Sequence, residues 1–575
     1  MNKQFNYREV GTKEQVLTLR EGVLATRGLK EEDVELLKNT PKEYSESWRN
    51  LNNIEEGVDL YLEAVRNFWR IYLLVDTDAD GMTSSTEFYR YTKRINPDID
   101  IHILQHNGKQ HGLSEDIEVP KDAHLLVILD AGTNDIEREK ELVNRGTKVL
   151  VIDHHKLEQG WEEIEGVVLI NNQNSDRYKN KSISGSGLTS KFLQAVDNRL
   201  DTNYAEDYFD LAGLGCVADI MSSTELDTRY LMNFSANMET IKNPFMKLVI
   251  ENKILNFGKL NLSSVAWNLA PVINSVTRVG TLEDRNALFN ALISDDKEVV
   301  EYGYTRAISC KGKQDRAKKK GYKMCKDYIQ DNQLDRLPIM LIDTTNLYSD
   351  NGLNGAIANM LSAEYNRPVI VFGGREEVLR GSCRNVNEVM IKDFNKWCTE
   401  TGLFNLVGGH ASAFGVEIPR CNVEKIIQMG IDEFGDSFAT DKIYEVERVI
   451  PFSQLKEQDV VAIGELEDIW CTNIKEPMFL IKDVRINSAK LEKKGARGNV
   501  LLFKVGNFSF IKMFLSNDFY NRVTLKDKKA FGSVDLKMDI LCNFKKNEWC
   551  GNITPQLEIV DIYSREDTLD IDDLF

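Results

Sequence analysis

Three short apolar runs in the first third of the chain each end directly in an acidic or histidine-containing motif. The runs cover residues 71–75, 125–129 and 149–152, and each has the length of one buried strand. Segments of helical character separate them, so the order of elements predicts a parallel α/β sheet. Because the carboxyl ends of parallel strands meet at one edge of a sheet, the motifs that follow the runs are predicted to face a common crevice.

These motifs consist mostly of groups that bind divalent cations. In chain order they are Asp76-Thr77-Asp78-Ala79-Asp80-Gly81, Asp130-Ala131-Gly132, Asp153-His154-His155 and, at the end of a predicted helix, Ala218-Asp219. The chain has only seven histidines, so an adjacent pair directly after a strand favours a functional role over an ordinary surface position. Carboxylate oxygens and imidazole nitrogens in one crevice predict a metal site. The chemistry indicated is metal-assisted hydrolysis of a phosphoester.

Size and composition limit the class of protein. A chain of 575 residues is too long for one core and predicts two to four domains. No stretch approaches the roughly 20 apolar residues of a membrane helix, and the first residues contain no apolar signal segment. The nine cysteines form no CxxC pair, which argues against a zinc finger and a disulfide framework. We therefore expect a cytoplasmic protein that does not associate with membranes.

The net charge of −18 does not exclude a nucleic-acid substrate, because a local basic surface can coexist with an acidic remainder. Seven lysines and arginines lie within residues 311–323, where they form either a solvated helix face or a contact with phosphates. Residues 182–187 have the sequence Ser-Ile-Ser-Gly-Ser-Gly and open a predicted helix. Their free N–H groups suit an anion, which makes Ser186 a candidate substrate contact.

The second half of the chain changes character twice. Residues 230–330 are rich in predicted helix, and a second α/β pattern begins near residue 337. Short alternating strands follow from about residue 445 and predict a small β-barrel. Phe508, Phe510 and Phe514 alternate there, as side chains that either stack on unpaired bases or form the barrel core.

Three further segments extend the pattern of the first motifs. Residues 271–278 read Pro-Val-Ile-Asn-Ser-Val-Thr-Arg, residues 381–384 read Gly-Ser-Cys-Arg, and residues 408–413 read Gly-Gly-His-Ala-Ser-Ala. With the Asp-His-His triplet, they resemble the PRiNAaGR, GSxR and GGHxxA segments of the RecJ single-strand exonucleases, which are members of the DHH phosphoesterase superfamily. The similarity runs from about residue 65 to 420 in the order of that family, and the chain looks like a diverged, phage or prophage type of member.

The resemblance implies a domain order. The expected units are an N-terminal helical segment (1–65), a DHH catalytic domain with a parallel sheet (66–235), a helical connector (236–330), an α/β DHH-associated substrate-binding domain (331–430), an OB-like β-barrel (440–562) and an acidic disordered tail (563–575).

The resemblance also implies an activity. We expect a metal-dependent 5′→3′ exonuclease that hydrolyses single-stranded DNA to 5′-mononucleotides with two Mn²⁺ or Mg²⁺ ions, in DNA recombination, repair or replication. One alternative is a DHH phosphodiesterase of short oligonucleotides or cyclic dinucleotides. Another is a catalytically inactive replisome scaffold, although the presence of every core carboxylate and both histidines argues against it.

Site residues follow from the motifs and from the resemblance. The predicted metal ligands are Asp76, Asp78, Asp80, Asp130, His154, His155 and Asp219. Asp130 stands alone at its strand end and suits a carboxylate that bridges two ions, with His154 and His155 as the other catalytic groups. The predicted substrate contacts, apart from Ser186, are Asn274, Arg278, Ser382, Arg384, Gly409 and His410. The family's equivalents of Arg278, Ser382 and Arg384 recognise a 5′-terminal phosphate, which suits guanidinium groups.

The sequence departs from the family at three places. Leu74 stands where many members have a histidine, Asn107 where an arginine is expected, and residues 349–352 lack a further histidine. The chain ends in acidic residues followed by Leu574 and Phe575. This end resembles the acidic tip of single-strand-binding proteins and the sliding-clamp-binding peptide, so it either binds such a partner or is a solubilising tail.

Overall fold

The computed structural model describes residues 5–12, 17–106, 110–114, 117–256, 258–348, 351–388, 390–435, 442–471, 473–495, 498–525, 533–549 and 552–566. The strands are β1 Asn6–Glu9, β2 Ile71–Val75, β3 Ile101–Gln105, β4 Leu125–Leu129, β5 Lys148–Asp153, β6 Val167–Asn171, β7 Met340–Asp343, β8 Val369–Gly373, β9 Val378–Arg384, β10 Leu406–His410, β11 Ala413–Pro419, β12 Ile443–Val446, β13 Arg448–Pro451, β14 Met478–Asn487, β15 Glu492–Lys494, β16 Val500–Val505, β17 Phe508–Lys512, β18 Asp535–Trp549 and β19 Asn552–Glu566.

Helices connect these strands and cover the sheets. They are α1 Leu19–Thr26, α2 Glu31–Lys38, α3 Ile54–Arg66, α4 Ala79–Ile95, α5 Ile136–Asn144, α6 Gly185–Leu200, α7 Phe209–Ala218, α8 Leu226–Ser235, α9 Pro244–Ile250, α10 Leu262–Ser264, α11 Ala270–Val279, α12 Leu282–Ile293, α13 Lys297–Asp331, α14 Asn354–Tyr365, α15 Phe394–Thr401, α16 Val423–Phe434, α17 Glu457–Gly464 and α18 Asn517–Thr524. No helix in the described ranges is long and apolar enough to cross a membrane.

A five-stranded parallel sheet, in the order β3-β2-β4-β5-β6, organises the first half of the chain. Every residue of β2 and β4 is buried, because helices pack on both faces of the sheet. Alternate residues therefore enter two cores: Leu73 faces the core built with α3, α4 and α6, and Leu74 faces the core built with α5. The predicted parallel α/β sheet is confirmed.

The strand order positions a crevice at one edge of this sheet. The chain leaves β2 for β3 on one side and continues to β4 on the other, so the direction of winding reverses between β2 and β4. Ligands of open α/β sheets bind outside the carboxyl ends of the strands at such a switch point. The first two acidic motifs follow these two strands directly.

The connector and the second α/β unit also follow the prediction. Helices α7 to α12 pack beside the parallel sheet, and the long helix α13 leads to a five-stranded sheet in the order β10-β11-β9-β8-β7. Only β7 and β8 are parallel in this second sheet. Its two faces are covered by α14 on one side and by α15 and α16 on the other.

The C-terminal region is β-rich, as predicted, and its seven strands join in one sheet in the order β13-β14-β18-β19-β17-β16-β15. Phe508 and Phe510 are buried in its core, where they pack against Phe452. Phe514 is 87% exposed. Of the three alternating phenylalanines, two therefore form the core and only Phe514 is available to a base.

The predicted N-terminal helical segment (1–65) has no core of its own. Val23 of α1 and Leu37 of α2 are buried in the core of the C-terminal sheet, and β1 pairs with β12. In contrast, Tyr61 and Leu62 of α3 pack on the parallel sheet. Short amphipathic helices bury their apolar faces only against larger elements, so this segment is divided between two distant parts of the chain.

Candidate metal and substrate site

The seven predicted metal ligands come together at the carboxyl edge of the parallel sheet. The potential ligand atoms form three overlapping groups, within each of which all atoms lie no more than 4.8 Å apart. The groups are Asp76, Asp78 and Asp130; Asp80, His154 and Asp219; and Asp130, Asp153, His154 and His155. Asp130 and His154 each belong to two groups, so they occupy the centre of the cluster.

Asp130 is held in a backbone conformation that few residues adopt. Its φ of 62° lies in the left-handed region, which asparagine and aspartate tolerate better than other side chains. Gly185 approaches so closely that a Cβ at position 185 would lie 2.5 Å from the Asp130 Cβ. Asp130 is 2% exposed, and within the described ranges no hydrogen bond satisfies its buried Oδ1. A buried carboxylate oxygen without a donor is a strong candidate for a cation ligand.

The carboxylates of the cluster repel one another, so a bound cation would stabilise their charged forms. Burial and the neighbouring carboxylates of Asp80 and Asp78 raise the pKa of Asp130 well above its usual range. The same causes raise the pKa of Asp219 to about 8. His154 Nε2 lies 3.2 Å from Asp130 Oδ1 and 3.4 Å from Asp219 Oδ2, while burial lowers the pKa of His154 and favours its neutral form. A neutral imidazole nitrogen between two carboxylate oxygens is an arrangement that fits metal ligation.

Asp80 occupies the helix start that the sequence assigned to a substrate anion. Its carboxylate accepts hydrogen bonds from Ser184 Oγ (2.8 Å), Gly185 N (2.7 Å) and Ser186 N (3.1 Å). Ser186 is fully buried, and its hydroxyl donates to Glu87 Oε1 at 3.0 Å. The free N–H groups predicted for a ligand thus hold Asp80 in place, and Ser186 lies beneath the crevice instead of facing it.

Asp78 and Asp76 are oriented by the backbone and by a histidine. Asp78 caps α4 by accepting a hydrogen bond from Gly81 N at 3.0 Å. Asp76 accepts from Gly112 N at 3.2 Å and lies 2.9 Å from His111 Nδ1. Burial works against a charge on His111, but Asp76 outweighs it and raises the pKa of His111 to about 9. His111 was not predicted as a site residue, although His111-Gly112-Leu113 fits the Tyr-Gly-Leu segment of the RecJ family.

Asp153, the first residue of the Asp-His-His triplet, was likewise absent from the predicted ligands. Its contacts explain its position directly before the two histidines. Its carboxylate accepts hydrogen bonds from Thr133 N (3.0 Å), His154 N (2.7 Å) and His155 N (3.2 Å). His155 Nδ1 lies 2.7 Å from the same carboxylate. Burial opposes the charge of Asp153, yet these contacts keep its pKa far below the usual value. Asp153 therefore fixes both histidines in position.

Helix α11 lies along the crevice and joins it to the second lobe. The helix packs against α4 and α7, which carry Asp80 and lead into Asp219. Asn274 Oδ1 accepts a hydrogen bond from Ala79 N, inside the first acidic motif, at 3.0 Å. One turn further along, Arg278 is exposed. Asn274 thus contacts the backbone of the metal motif, while Arg278 is open to solvent.

Ser382 and Arg384 come together at the amino end of α14, and Arg278 of α11 lies near enough for its charge to act on Arg384. A Cβ at Gly355, in the first turn of α14, would lie 3.0 Å from Arg384 Nη2 and 3.5 Å from Ser382 Oγ. Burial lowers the pKa of Arg384, and the nearby charge of Arg278 contributes to this shift. Two guanidinium groups, a hydroxyl and a helix start, for which the described residues provide no carboxylate partner, suit a phosphate.

Gly409 and His410 lie two strands from Arg384 in the second sheet, because His410 pairs with Ala413 and Ala413 pairs with Arg384. They end the edge strand β10, where Gly409 has a φ of 132° and a Cβ would lie 2.8 Å from Phe414 Cα. His410 is exposed, and among the described residues it has no hydrogen bond or ion pair to the carboxylates. A substrate contact at Gly409 and His410 stays a prediction.

The structure describes only some of the positions at which this sequence departs from the RecJ family. Leu74 is 1% exposed and packs in the core shared with α5, so this position serves packing here. Asn107, residues 349–350 and the tail with Leu574 and Phe575 lie outside the described residues.

Comparison with known proteins identifies the family of this chain. The DHH family, N-terminal domain, matches residues 70–216, the region of the parallel sheet and most of the carboxylate cluster. YorK of Bacillus subtilis strain 168, named as an SPbeta prophage-derived single-strand DNA-specific exonuclease, is 30% identical over 97% of this chain and 98% of its own length. RecJ of the same organism is 21% identical over 89% of this chain and 63% of its own length. The chain therefore belongs to the RecJ-like single-strand-DNA-specific exonucleases of the DHH family.

Solved structures show the same fold. The crystal structure of RecJ from Thermus thermophilus in complex with Mn²⁺ has a TM-score of 0.68 and 17% identity, over 96% of this chain and 76% of that one. The structure of the same RecJ in complex with Mg²⁺ has a TM-score of 0.63 over 95% of this chain.

Proposed function

We propose that this chain hydrolyses single-stranded DNA from the 5′ end to 5′-mononucleotides, with two divalent metal ions, in DNA recombination, repair or replication. The observation that carries the proposal is the position of α11. Asn274 contacts the acidic motif, and Arg278, four residues away, lies close enough to Arg384 for the two charges to interact. Four helical residues span about 6 Å, roughly the separation of neighbouring phosphates in an extended strand. A terminal phosphate held by the arginines then brings the first phosphodiester to the carboxylates.

The carboxylate cluster fits two Mn²⁺ or Mg²⁺ ions. Asp130 has an unsatisfied buried oxygen and belongs to two of the three ligand groups, which supports a bridging role. Asp76 and Asp78 would complete one ion's ligands, and His154 with Asp219 and Asp80 the other's. Two ions held there would activate water and neutralise charge on the phosphodiester. The Mn²⁺ and Mg²⁺ complexes of Thermus thermophilus RecJ favour these two metals.

The chain's own side chains orient the reacting groups. Asp153 binds His155 through Nδ1, which directs Nε2 of His155 away from Asp153 and toward the crevice. His155 is 44% exposed, more than any other side chain of its ligand group, so it is the group best placed to contact the scissile phosphate. Both carboxylate oxygens of Asp80 accept hydrogen bonds from the α6 start, which fixes how far the carboxylate extends into the crevice.

Recognition of the 5′ end depends on the arginine pair. Charge-assisted contacts to a phosphate contribute roughly 1.5–3 kcal/mol each. Arg384 is partly buried and the charge of Arg278 acts on it, so a phosphate dianion would relieve the repulsion between the two cations. A bound 5′-phosphate sets where the strand stops, so the enzyme releases one nucleotide per cycle from that end.

End-labelled single strands test the proposal. With Mn²⁺, a 5′-label should appear at once as a mononucleotide, and a 3′-label should give a ladder of shortening strands. Arg384→Ala should largely remove the preference for a 5′-phosphate over a 5′-hydroxyl. Arg380→Ala is the matched control, because Arg380 lies on the same strand, is 81% exposed and pairs with Glu417. Loss of nucleotides from the 3′ end would contradict the polarity, and faster turnover of dinucleotides than of long strands would favour the oligonucleotide phosphodiesterase.

A further inference from the structure

Trp267 exposes a large aromatic ring to solvent next to the catalytic crevice. Its side chain is 78% exposed, whereas Val265 and Leu269 on either side are fully buried. An indole in water loses the apolar burial that stabilises most tryptophans. Neither packing nor a hydrogen bond within the described part of the chain accounts for its position.

The helix that carries Trp267 has one face open to solvent. A helical turn at Leu262–Ser264, a π-helical segment at Val265–Leu269 and helix α11 form one continuous helical stretch. The side chains of Trp267, Pro271, Asn274 and Arg278 are exposed or half-buried, whereas those of Val272 and Val276 are buried. The spacing of three and four residues places Pro271, Asn274 and Arg278 on one face of α11, and Trp267 lies about one π-helical turn before Pro271, on the same exposed side.

This face runs along the substrate path of the proposed function. Arg278 lies at the arginine pair, and Asn274 contacts the metal motif at Ala79. At the other end, Ser263 Oγ donates a hydrogen bond to Trp470 O at 2.9 Å, next to the C-terminal β region. Trp267 therefore lies between the metal site and the C-terminal β region, on the side away from the arginines.

We propose that Trp267 stacks on a base of the DNA strand on the 3′ side of the scissile phosphodiester. The proposal rests on the 5′→3′ polarity of the proposed function. Seven residues separate Trp267 from Asn274, about 10 Å along a helix, which corresponds to the second nucleotide beyond the scissile bond. A base has an aromatic face whatever its identity, so such a contact grips any sequence. A π-helical segment, often found at functional sites, presents the ring.

Stacking at this position would make the affinity for a strand depend on its length. A dinucleotide ends before it reaches Trp267, whereas a longer strand gains the stacking contact. Single base–aromatic stacks change affinity by roughly five- to 150-fold on alanine substitution. The ratio of kcat/KM for a long strand to that for a dinucleotide therefore reports on Trp267, and the effect should lie in KM.

The test uses the full chain with Trp267→Ala, Trp267→Phe and the control Phe68→Ala. Phe68 is 61% exposed and precedes β2, so it lies at the amino edge of the sheet, opposite the site. The substrates are a 5′-phosphorylated dinucleotide and a 5′-phosphorylated strand of about 12 nucleotides, within the range of single-strand binding sites. Affinity for the longer strand is also measured in the Asp130→Asn background, where it is not degraded.

Trp267→Ala should lower the length ratio by about tenfold or more, mainly through KM, and should weaken strand binding similarly. Trp267→Phe should keep most of the length ratio and most of the strand affinity of the wild type. Phe68→Ala should match the wild type in both measurements. Equal losses on both substrates, or no loss on the long strand, would overturn the proposal. Degradation from the 3′ end by the wild-type enzyme would instead refute the proposed polarity, and the binding measurement would still show whether Trp267 contacts the strand.

Discussion

Replacing Asp130 with asparagine should stabilise the metal-free protein while abolishing its activity. Asp130→Asn removes one negative charge and keeps the shape of the side chain. Asparagine tolerates the φ of 62° at this position, whereas alanine in the left-handed region costs about 1–2 kcal/mol. The asparagine variant therefore separates the effect of charge from the effect of backbone strain.

The size of the effect follows from the crowding of the carboxylates. Ligand oxygens of Asp76, Asp78 and Asp130 lie within 4.8 Å of one another. Two unit charges at that distance repel by about 3–4 kcal/mol at an effective dielectric constant of about 20. Protonating one carboxyl group instead costs about 4 kcal/mol at pH 7, given an unfolded-state pKa of about 3.9. Removing one charge should therefore increase the free energy of unfolding by about 1–4 kcal/mol without metal.

The increase in the free energy of unfolding of Asp130→Asn should depend on pH. The folded-state pKa of Asp130 lies above the unfolded value, so its penalty appears as the pH rises above about 4. Below that pH both states are protonated, and the variant should lose its advantage. Thermal unfolding of chelator-treated protein at several pH values measures this, with Asp98→Asn, an exposed carboxylate before β3, as the control.

Metal should stabilise the wild type much more than the Asp130→Asn variant. Mn²⁺ should raise the unfolding temperature of the wild type, because it binds only the folded state, and should raise that of Asp130→Asn much less. Hydrolysis should fall below about one hundredth of wild type, since even a partner that only orients a metal ligand is worth roughly 10–100-fold. A variant that is less stable than the wild type without metal, or that keeps a tenth of the activity, would refute the metal assignment.

Three further outcomes are expected. Gly215→Ala should lower activity and stability, because the new Cβ would lie 2.2 Å from Asp80 Oδ1; unchanged kcat would contradict this packing. Lys191→Met should cost about 3–5 kcal/mol in urea unfolding, because fully buried Lys191 pairs with Asp227 at 2.5 Å; a loss below about 1 kcal/mol would show that the pair is dispensable. Deleting residues 569–575 should leave hydrolysis of naked strands intact and weaken retention on a sliding-clamp or single-strand-binding-protein column; unchanged retention on both would leave the tail without a partner.

The sequence alone predicts the parallel sheet and its metal cluster, for a topological reason. Buried strands of a parallel sheet appear as continuous apolar runs, and whatever follows them lies at one edge. Asp76 and Asp130 could therefore be placed together although 54 positions separate them in the chain. The pairing of Arg278 in the connector with Arg384 in the second lobe came from the resemblance to the RecJ family, since no local pattern connects the two residues.

Only the tertiary structure decided which partner each polar group and each apolar helix face contacts. Free N–H groups at the start of α6 look like an anion site in the sequence, but the absence of a side chain at Gly215 lets Asp80 reach them. Helices α1 and α2 read as a separate segment, yet they bury Val23 and Leu37 in a core formed more than 400 residues later. Periodicity reveals that a face is apolar or exposed, but not what lies opposite it. That depends on close approach between elements distant in sequence, which only the folded chain provides.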